Sequence, residues 1–170
     1  MYLLELAKLD DVRKCYNIIK EAKNFKRSRD LLNGRMIIPI KIRFNRIYKR
    51  KKGYIVTSDK EIAGYMCIDF SGEPAYENIE GKWNTDLPYA VIHRMAFSKE
   101  FRNRGLSSIA LSLIENLCLS KNIKSIRVDT DFPNKRMQHI LEKNGFSKCG
   151  IIVFQGSGKL AYEKALISET

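Results

Sequence analysis

Two rhythms of apolar residues run along this chain, and each switch between them marks an element. After Gly105, apolar side chains fall at Leu106, Ile109, Ala110, Leu113, Ile114 and Leu117, the spacing that lines one face of a helix. Just upstream, Tyr89-Ala90-Val91-Ile92-His93-Arg94-Met95-Ala96-Phe97 is too short for a typical helix. It is rich in β-branched and aromatic residues, which predicts an interior strand. Residues 2–7 predict a first strand. Asp10 or Asp11 then caps a helix to about Lys26, with Val12, Tyr16, Ile19, Ala22 and Phe25 on its inner side. Residues 53–58 and 62–70 predict a hairpin across Asp59-Lys60-Glu61. Between Ser71 and Pro88, the breakers Gly72, Pro74, Gly81 and Pro88 predict a loop, with Tyr76 and Trp83 covering the core edge or lining a pocket. Residues 123–129 predict a strand, followed by a helix ending in Asn144-Gly145-Phe146. Residues 146–154 and 160–166 predict a closing hairpin over Gln155-Gly156-Ser157-Gly158-Lys159. That glycine-rich turn is not a phosphate loop, because Val153 and Leu160 stand where glycine and Ser/Thr are needed.

Residues 27–52 have the weakest pattern. They hold a Leu31-Leu32-Asn33-Gly34 turn signal, the patch Met36-Ile37-Ile38-Pro39-Ile40 and a basic amphipathic run over 41–52. That run reads first as a solvated face. The flank of a binding cleft and a patch facing nucleic acid or membrane are the other readings.

The chemistry concentrates at Phe101-Arg102-Asn103-Arg104-Gly105-Leu106-Ser107-Ser108, between the interior strand and the helix. The first N–H groups of a helix lack intrahelical partners and carry the positive end of its dipole. Glycine lets the backbone approach a ligand, Ser107 adds a small hydroxyl, and Arg102 and Arg104 add full charges. The expected ligand is a phosphate or pyrophosphate. An ordinary turn with solvated arginines fits this stretch alone equally well.

Composition narrows the setting. A chain of 170 residues predicts one domain, residues 1–170, organised around 89–146. No apolar run approaches the roughly 20 residues a membrane span needs, and Met1-Tyr2-Leu3-Leu4-Glu5-Leu6 does not resemble a secretion signal. A cytoplasmic location is expected. Cys15, Cys67, Cys118 and Cys149 show no CxxC spacing, and Cys118 continues an apolar helix face. The net charge of +12 favours anionic partners without choosing among nucleic acid, anionic lipid and a phosphorylated cofactor.

Arg102-Asn103-Arg104-Gly105-Leu106-Ser107 resembles the Arg/Gln-x-x-Gly-x-Gly/Ala signature of the GNAT acyltransferase superfamily, with Ser107 where Gly or Ala is usual. Asn134-x-x-Met137 and Glu142-Lys143-Asn144-Gly145-Phe146 resemble its Asn-x-x-Ala/Met…Lys-x-Gly-Phe helix. His93-Arg94-Met95-Ala96-Phe97 resembles the strand before the turn. Several motifs in order outweigh a lone glycine pattern. The resemblance implies a single-domain α/β (α+β) fold, a mixed, mostly antiparallel sheet of about seven strands flanked by about four helices. It implies acetyl-CoA as co-substrate, held by Met95, Ala96, Phe97, Arg102, Asn103, Arg104, Gly105, Leu106, Ser107, Ser108 and Asn134. It also implies transfer of an acetyl group to a primary amine in a ternary complex.

Such transfer needs no protein nucleophile, and none is apparent. The family's tyrosine seven residues after the asparagine, which protonates the leaving thiolate, is Leu141 here. His93 is the candidate base, on the strand facing the cleft and near neutrality in its ordinary pKa, with a purely structural histidine as the equal alternative. Asp129 is a second candidate, acting through water, or else pairing with Arg94 or Arg127; Asp131 ends the same strand. His139 reads as a surface residue, and no metal site is expected. The acceptor amine stays open, although net positive charge weakly disfavours a polycation. A monomer or homodimer without nucleic-acid or membrane partners is expected. The rival readings are a catalytically inert acyl-CoA-binding protein and, third, a basic nucleic-acid-binding module.

Overall fold

The structure, a computed structural model, describes residues 1–30, 46 and 48–166. The chain divides into two compact units, Met1–Ile68 with Arg94–Leu106, and Asp69–His93 with Ser107–Thr170.

The first unit opens with β1 (Tyr2–Leu6), a 3₁₀ turn (Leu9–Asp11) and α1 (Val12–Asp30), followed by β2 (Gly53–Ser58) and β3 (Glu61–Asp69). β1 pairs antiparallel with β2, from Tyr2↔Ser58 to Leu6↔Tyr54, and β2 pairs antiparallel with β3. The β2–β3 hairpin closes on Asp59 and Lys60, both left-handed (φ 48° and 68°). Positive φ at both turn residues matches the right-handed twist of the strands, here without the usual glycine. Nearly every residue of β2 and β3 is buried, so their sequences read as continuous apolar runs. α1 packs Cys15, Ile18 and Ile19 against Ile55, Ile62 and Tyr65. The buried stripe thus runs through Cys15 and Ile18 as well as Ile19, while Tyr16 is only half-buried. Asp11 does not cap the helix forward. Its carboxylate accepts the Lys8 N–H at 2.8 Å, closing the turn that feeds α1. α1 continues to Asp30, beyond the expected end. The Phe25 side chain, the Asn33-Gly34 turn, the 36–40 patch and most of the basic run lie outside the described residues. Within that run Arg46, Tyr48 and Lys49 are helical, and the Arg50 N–H donates to the Arg46 carbonyl.

The second unit holds a 3₁₀ turn (Pro74–Asn78), β4 (Glu80–Gly81), the start of β5 (Ala90–Phe97), α2 (Leu106–Ser120) from Ser107 on, β6 (Ser125–Thr130), α3 (Lys135–Lys143), β7 (Ser147–Phe154) and β8 (Ser157–Ala165). β5 runs parallel to β6 through Ala90↔Ile126 and Val91↔Arg127, while β6–β8, β8–β7 and β7–β4 are antiparallel. The strand order is β1-β2-β3-β5-β6-β8-β7-β4, a mixed sheet of eight strands. The strand beyond the expected seven is β4, two residues long, inside the segment expected to be loop. It pairs where Gly81 (φ 130°) crosses Gly150 (φ 153°), and a Cβ on Gly150 would stand 2.1 Å from the Glu80 carbonyl oxygen. Only glycine permits that approach. Three α-helices are complete among the described residues, against about four expected.

α2 buries Ala110, Leu111, Ile114 and Cys118, a stripe turned slightly from the expected Leu113 and Leu117. Tyr76, Val91, Ile152 and Ala161 form this unit's own core, with Trp83, Tyr89 and Phe154 packed against it. The final hairpin turns on Gln155 and Gly156 alone (φ 52° and 73°), so Ser157, Gly158 and Lys159 are strand and not turn.

Candidate active site

Within β5, Arg94 has a φ of 56°, a left-handed conformation in a strand interior. The chain then continues through half-buried Met95, Ala96 and Phe97 into a short 3₁₀ turn (Lys99–Phe101). The Ser98 N–H donates to the Ala63 carbonyl at 2.8 Å, and a Cβ on Gly64 would stand 2.5 Å from the Phe97 ring. Phe101 is buried, and the Arg104 guanidinium lies 5.3 Å from its ring centroid.

Between this turn and α2, Asn103 (φ 62°) and Gly105 (φ 67°) are both left-handed. A Cβ on Gly105 would meet nothing within 4 Å. Backbone conformation, not crowding, therefore favours glycine here, and the space over the turn is open. Arg102 is half-buried, while Asn103, Arg104 and Gly105 are exposed. The first turn of α2 contains no carboxylate. An open, cationic turn feeding a 15-residue helix fits an anionic group such as a pyrophosphate. Leu106 is buried and anchors the helix start; Ser107 and Ser108 are half-buried, and Ser108 Oγ accepts from Asn144 Nδ2 at 3.0 Å. Asn134 is the N-cap of α3. Its Oδ1 accepts the Met137 N–H at 3.1 Å, so this residue has a helix-starting role besides any ligand contact.

A second constellation lies within the other unit. His93 stacks on Phe154 (ring centroids 5.8 Å apart), and its Nε2 lies 3.7 Å from Glu73 Oε2. The other oxygen of Glu73 accepts the Ala75 N–H at 3.2 Å, capping the 3₁₀ turn, while the Glu73 N–H donates to the Tyr89 hydroxyl at 3.4 Å. Asp129 Oδ2 accepts the Tyr76 hydroxyl at 2.7 Å. Burial, together with the nearby Asp129, pushes the Tyr76 phenol well above its ordinary range, so it stays a protonated donor. Asp129 does not pair with Arg127, contrary to one expectation.

Arg127 is committed elsewhere, to a buried network that anchors the 71–88 loop. Glu163, 1% exposed, accepts from Asn84 N–H (2.7 Å) and Thr85 N–H (3.0 Å) on one oxygen. Its other oxygen accepts from Thr85 Oγ1 (3.1 Å), Ser125 Oγ (2.8 Å) and Arg127 Nε (2.8 Å). Arg127 Nη2 also donates to the Thr85 carbonyl at 2.7 Å, and its guanidinium stacks between Trp83 (4.3 Å) and Tyr89 (4.0 Å). Burial pushes the Glu163 carboxyl up. The hydrogen bonds from Arg127 and Ser125, the Arg127 charge and the Thr85 hydroxyl outweigh it and hold the group below the usual range.

The remaining positions divide clearly. Leu141 is fully buried, a core residue that carries no proton chemistry. His139 is exposed. Asp131 pairs with Lys159. Tyr76 lies in the core and Trp83 packs against it, with the Trp83 indole N–H donating to the Tyr76 carbonyl at 2.8 Å. Glu73 and Glu163 are the residues sequence reasoning missed. Glu73 had one faint signal, its place before Pro74 at the opening of a turn. Among the described residues no group of three or more His, Cys, Asp or Glu can hold a metal, and no helix is long and apolar enough to cross a membrane.

The sequence profile of the acetyltransferase (GNAT) family matches residues 12–146, so this chain belongs to that family. In structure it is similar to a GNAT-family acetyltransferase from Streptococcus agalactiae, with 28% identity, a TM-score of 0.83, and coverage of 98% of this chain and 96% of the other. It is also similar to a GNAT-family acetyltransferase from Listeria monocytogenes (21% identity, TM-score 0.69, coverage 97% and 95%). A third similar structure is the aminoglycoside acetyltransferase AAC(6')-Ib in complex with coenzyme A and kanamycin (16% identity, TM-score 0.70, coverage 97% and 95%). The last two likenesses are likenesses of fold. No curated protein matches the chain in sequence.

Proposed function

We propose that this protein transfers an acetyl group from acetyl-CoA to a primary amine. The observation that carries the reading is the turn before α2: two left-handed residues, an open volume over Gly105, and arginines at a helix start free of carboxylates. Acetyl-CoA supplies an activated thioester. The charges of Arg102 and Arg104 and the backbone of Asn103 and Gly105 hold its pyrophosphate, with Leu106, Ser107 and Ser108 opening the helix beneath it. Backbone groups of Met95, Ala96 and Phe97, which follow the left-handed residue Arg94, receive the pantetheine arm, and Asn134 adds a contact from the start of α3. His93 accepts the proton that the acceptor ammonium loses as its nitrogen bonds to the acetyl carbon. Asp129, oriented by Tyr76, accepts a proton through water. The C–S bond breaks, and the thiolate takes its proton from solvent, since Leu141 replaces the usual acid.

Calorimetric titration with acetyl-CoA tests the cofactor half. Binding in the micromolar range, lost in a folded Gly105→Glu variant, supports it, because a carboxylate then occupies the anion's place. A wild-type protein that binds no acetyl-CoA refutes it. A panel of aminoglycosides, polyamines, amino acids and peptides, scored for released thiol, then finds the amine. Acetyl-CoA binding without turnover on any of them would favour the inert reading.

A further inference from the structure

The two histidine-side contacts described above have a division of labour. Glu73 spans a gap: one carboxylate oxygen caps the Pro74–Asn78 turn through the Ala75 N–H, and the other stands 3.7 Å from His93 Nε2. Both side chains are about one-fifth exposed, at 20% for His93 and 19% for Glu73. The cap fixes the direction of the carboxylate, and the Tyr89 hydroxyl accepts the Glu73 N–H at 3.4 Å, which holds the backbone beneath it. On the opposite side Phe154 fixes the plane of the imidazole, the two rings lying at 21° to one another. The loop that carries Glu73 is pinned at Asn84 and Thr85 by the buried Glu163 carboxylate.

We propose that Glu73 is a positioning residue for His93, selecting its ring tautomer and raising its affinity for a proton. This rests on the proposed role of His93 as base, and extends it to a residue that acts through the histidine. A carboxylate accepts but cannot donate, so an imidazole nitrogen facing it carries the proton, Nε2–H, and the ring's lone pair resides on Nδ1. A negative charge at this distance also favours the imidazolium. Ionisable groups near Glu73 include Tyr89 and the paired Tyr76 and Asp129, and Arg94 follows His93 in the chain; substitution at Glu73 leaves their identities unchanged.

The experiment is NMR titration of the imidazole ¹⁵N and ¹³C resonances in the full chain, which has two histidines, so exposed His139 serves as internal reference. Glu73→Gln keeps an oxygen for the Ala75 N–H but turns an amide N–H₂ toward His93, while Glu73→Ala removes both. In wild type, the neutral His93 is expected as the Nε2–H tautomer. In Glu73→Gln it shifts to Nδ1–H and its midpoint falls by about one pH unit, with His139 unmoved. Glu73→Ala gives the same fall in midpoint without the tautomer exchange. An unchanged His93 titration in Glu73→Gln, with the fold intact by circular dichroism, overturns the proposal. So does a wild-type Nδ1–H tautomer. This readout needs neither acetyl-CoA nor an acceptor, so it stands or falls separately from the acetyltransferase reading. If turnover is found, the acidic limb of the kcat profile moves down with the same midpoint in Glu73→Gln, which loss of folding alone would not produce.

Discussion

Replacing Glu163 tests how firmly the loop bearing Glu73 and Tyr76 is held. Glu163 accepts five hydrogen bonds, from Asn84, Thr85 (twice), Ser125 and Arg127, and is the ion-pair partner of an arginine that is itself buried. Glu163→Leu leaves the Arg127 guanidinium buried opposite an apolar side chain, and breaking a buried pair from one side costs about 3–5 kcal/mol. That is a large share of a domain's typical stability of roughly 5–15 kcal/mol. Stacking on Trp83 and Tyr89 and the bond to the Thr85 carbonyl remain and offset part of the loss. Urea unfolding gives the measurement: a loss of ~4 kcal/mol over a slope of ~2 kcal/mol/M lowers the midpoint by about 2 M. The double variant Arg127→Met, Glu163→Leu is expected to be more stable than Glu163→Leu alone, because no unpaired charge remains. The sign of the pH dependence follows from the depressed carboxyl. A group whose folded pKa lies below its unfolded value, about 4.3 for glutamate, stabilises fully above that value. The contribution is lost as pH falls through the folded pKa. The gap between wild type and Glu163→Leu should therefore narrow in acid. A single-variant loss below ~1 kcal/mol, or a gap independent of pH, refutes the reasoning.

Gly64→Ala should destabilise by about 1–3 kcal/mol, because its Cβ would lie 2.5 Å from the Phe97 ring and 3.2 Å from the Ala96 carbonyl oxygen. Adding Phe97→Ala should recover part of that loss, and a Gly64→Ala protein as stable as wild type would show that the ring moves aside freely. Burial pushes the Cys15 and Cys118 thiols up to about 12, and the Cys149 thiol also rises. At about pH 8 the thiolate fraction of the first two is on the order of 10⁻⁴, so an aromatic disulfide reagent should label neither until the chain unfolds. Prompt native-state labelling of Cys118 would contradict its place inside α2's packed face.

What the sequence determined by itself is local in origin. The helical spacing after Gly105, the apolar run of β5, the hairpin across Asp59-Lys60-Glu61 and the glycine turn before α2 depend on near neighbours in the chain, and each is visible in composition and period, while the left-handed backbone at Gly105 is read from the structure. The residues of that turn led to the expectation of a phosphate or pyrophosphate, and the family resemblance narrowed the expectation to acetyl-CoA. Periodicity located helix faces only to within a residue or so, since it cannot weigh Leu111 against Leu113 without knowing what lies opposite. β4 stayed hidden because two residues have no period, and only Gly81 meeting Gly150 makes them a strand.

The chemical environment of His93 and Asp129 was decided by tertiary structure alone. Tyr76 reaches Asp129 across 53 positions, and Arg127 reaches Glu163 across 36. Opposite charges are abundant in this sequence, so Arg127 had several formally equivalent partners. Desolvation selected among them, because a buried guanidinium is stable only where a carboxylate and enough hydrogen-bonding groups are buried with it.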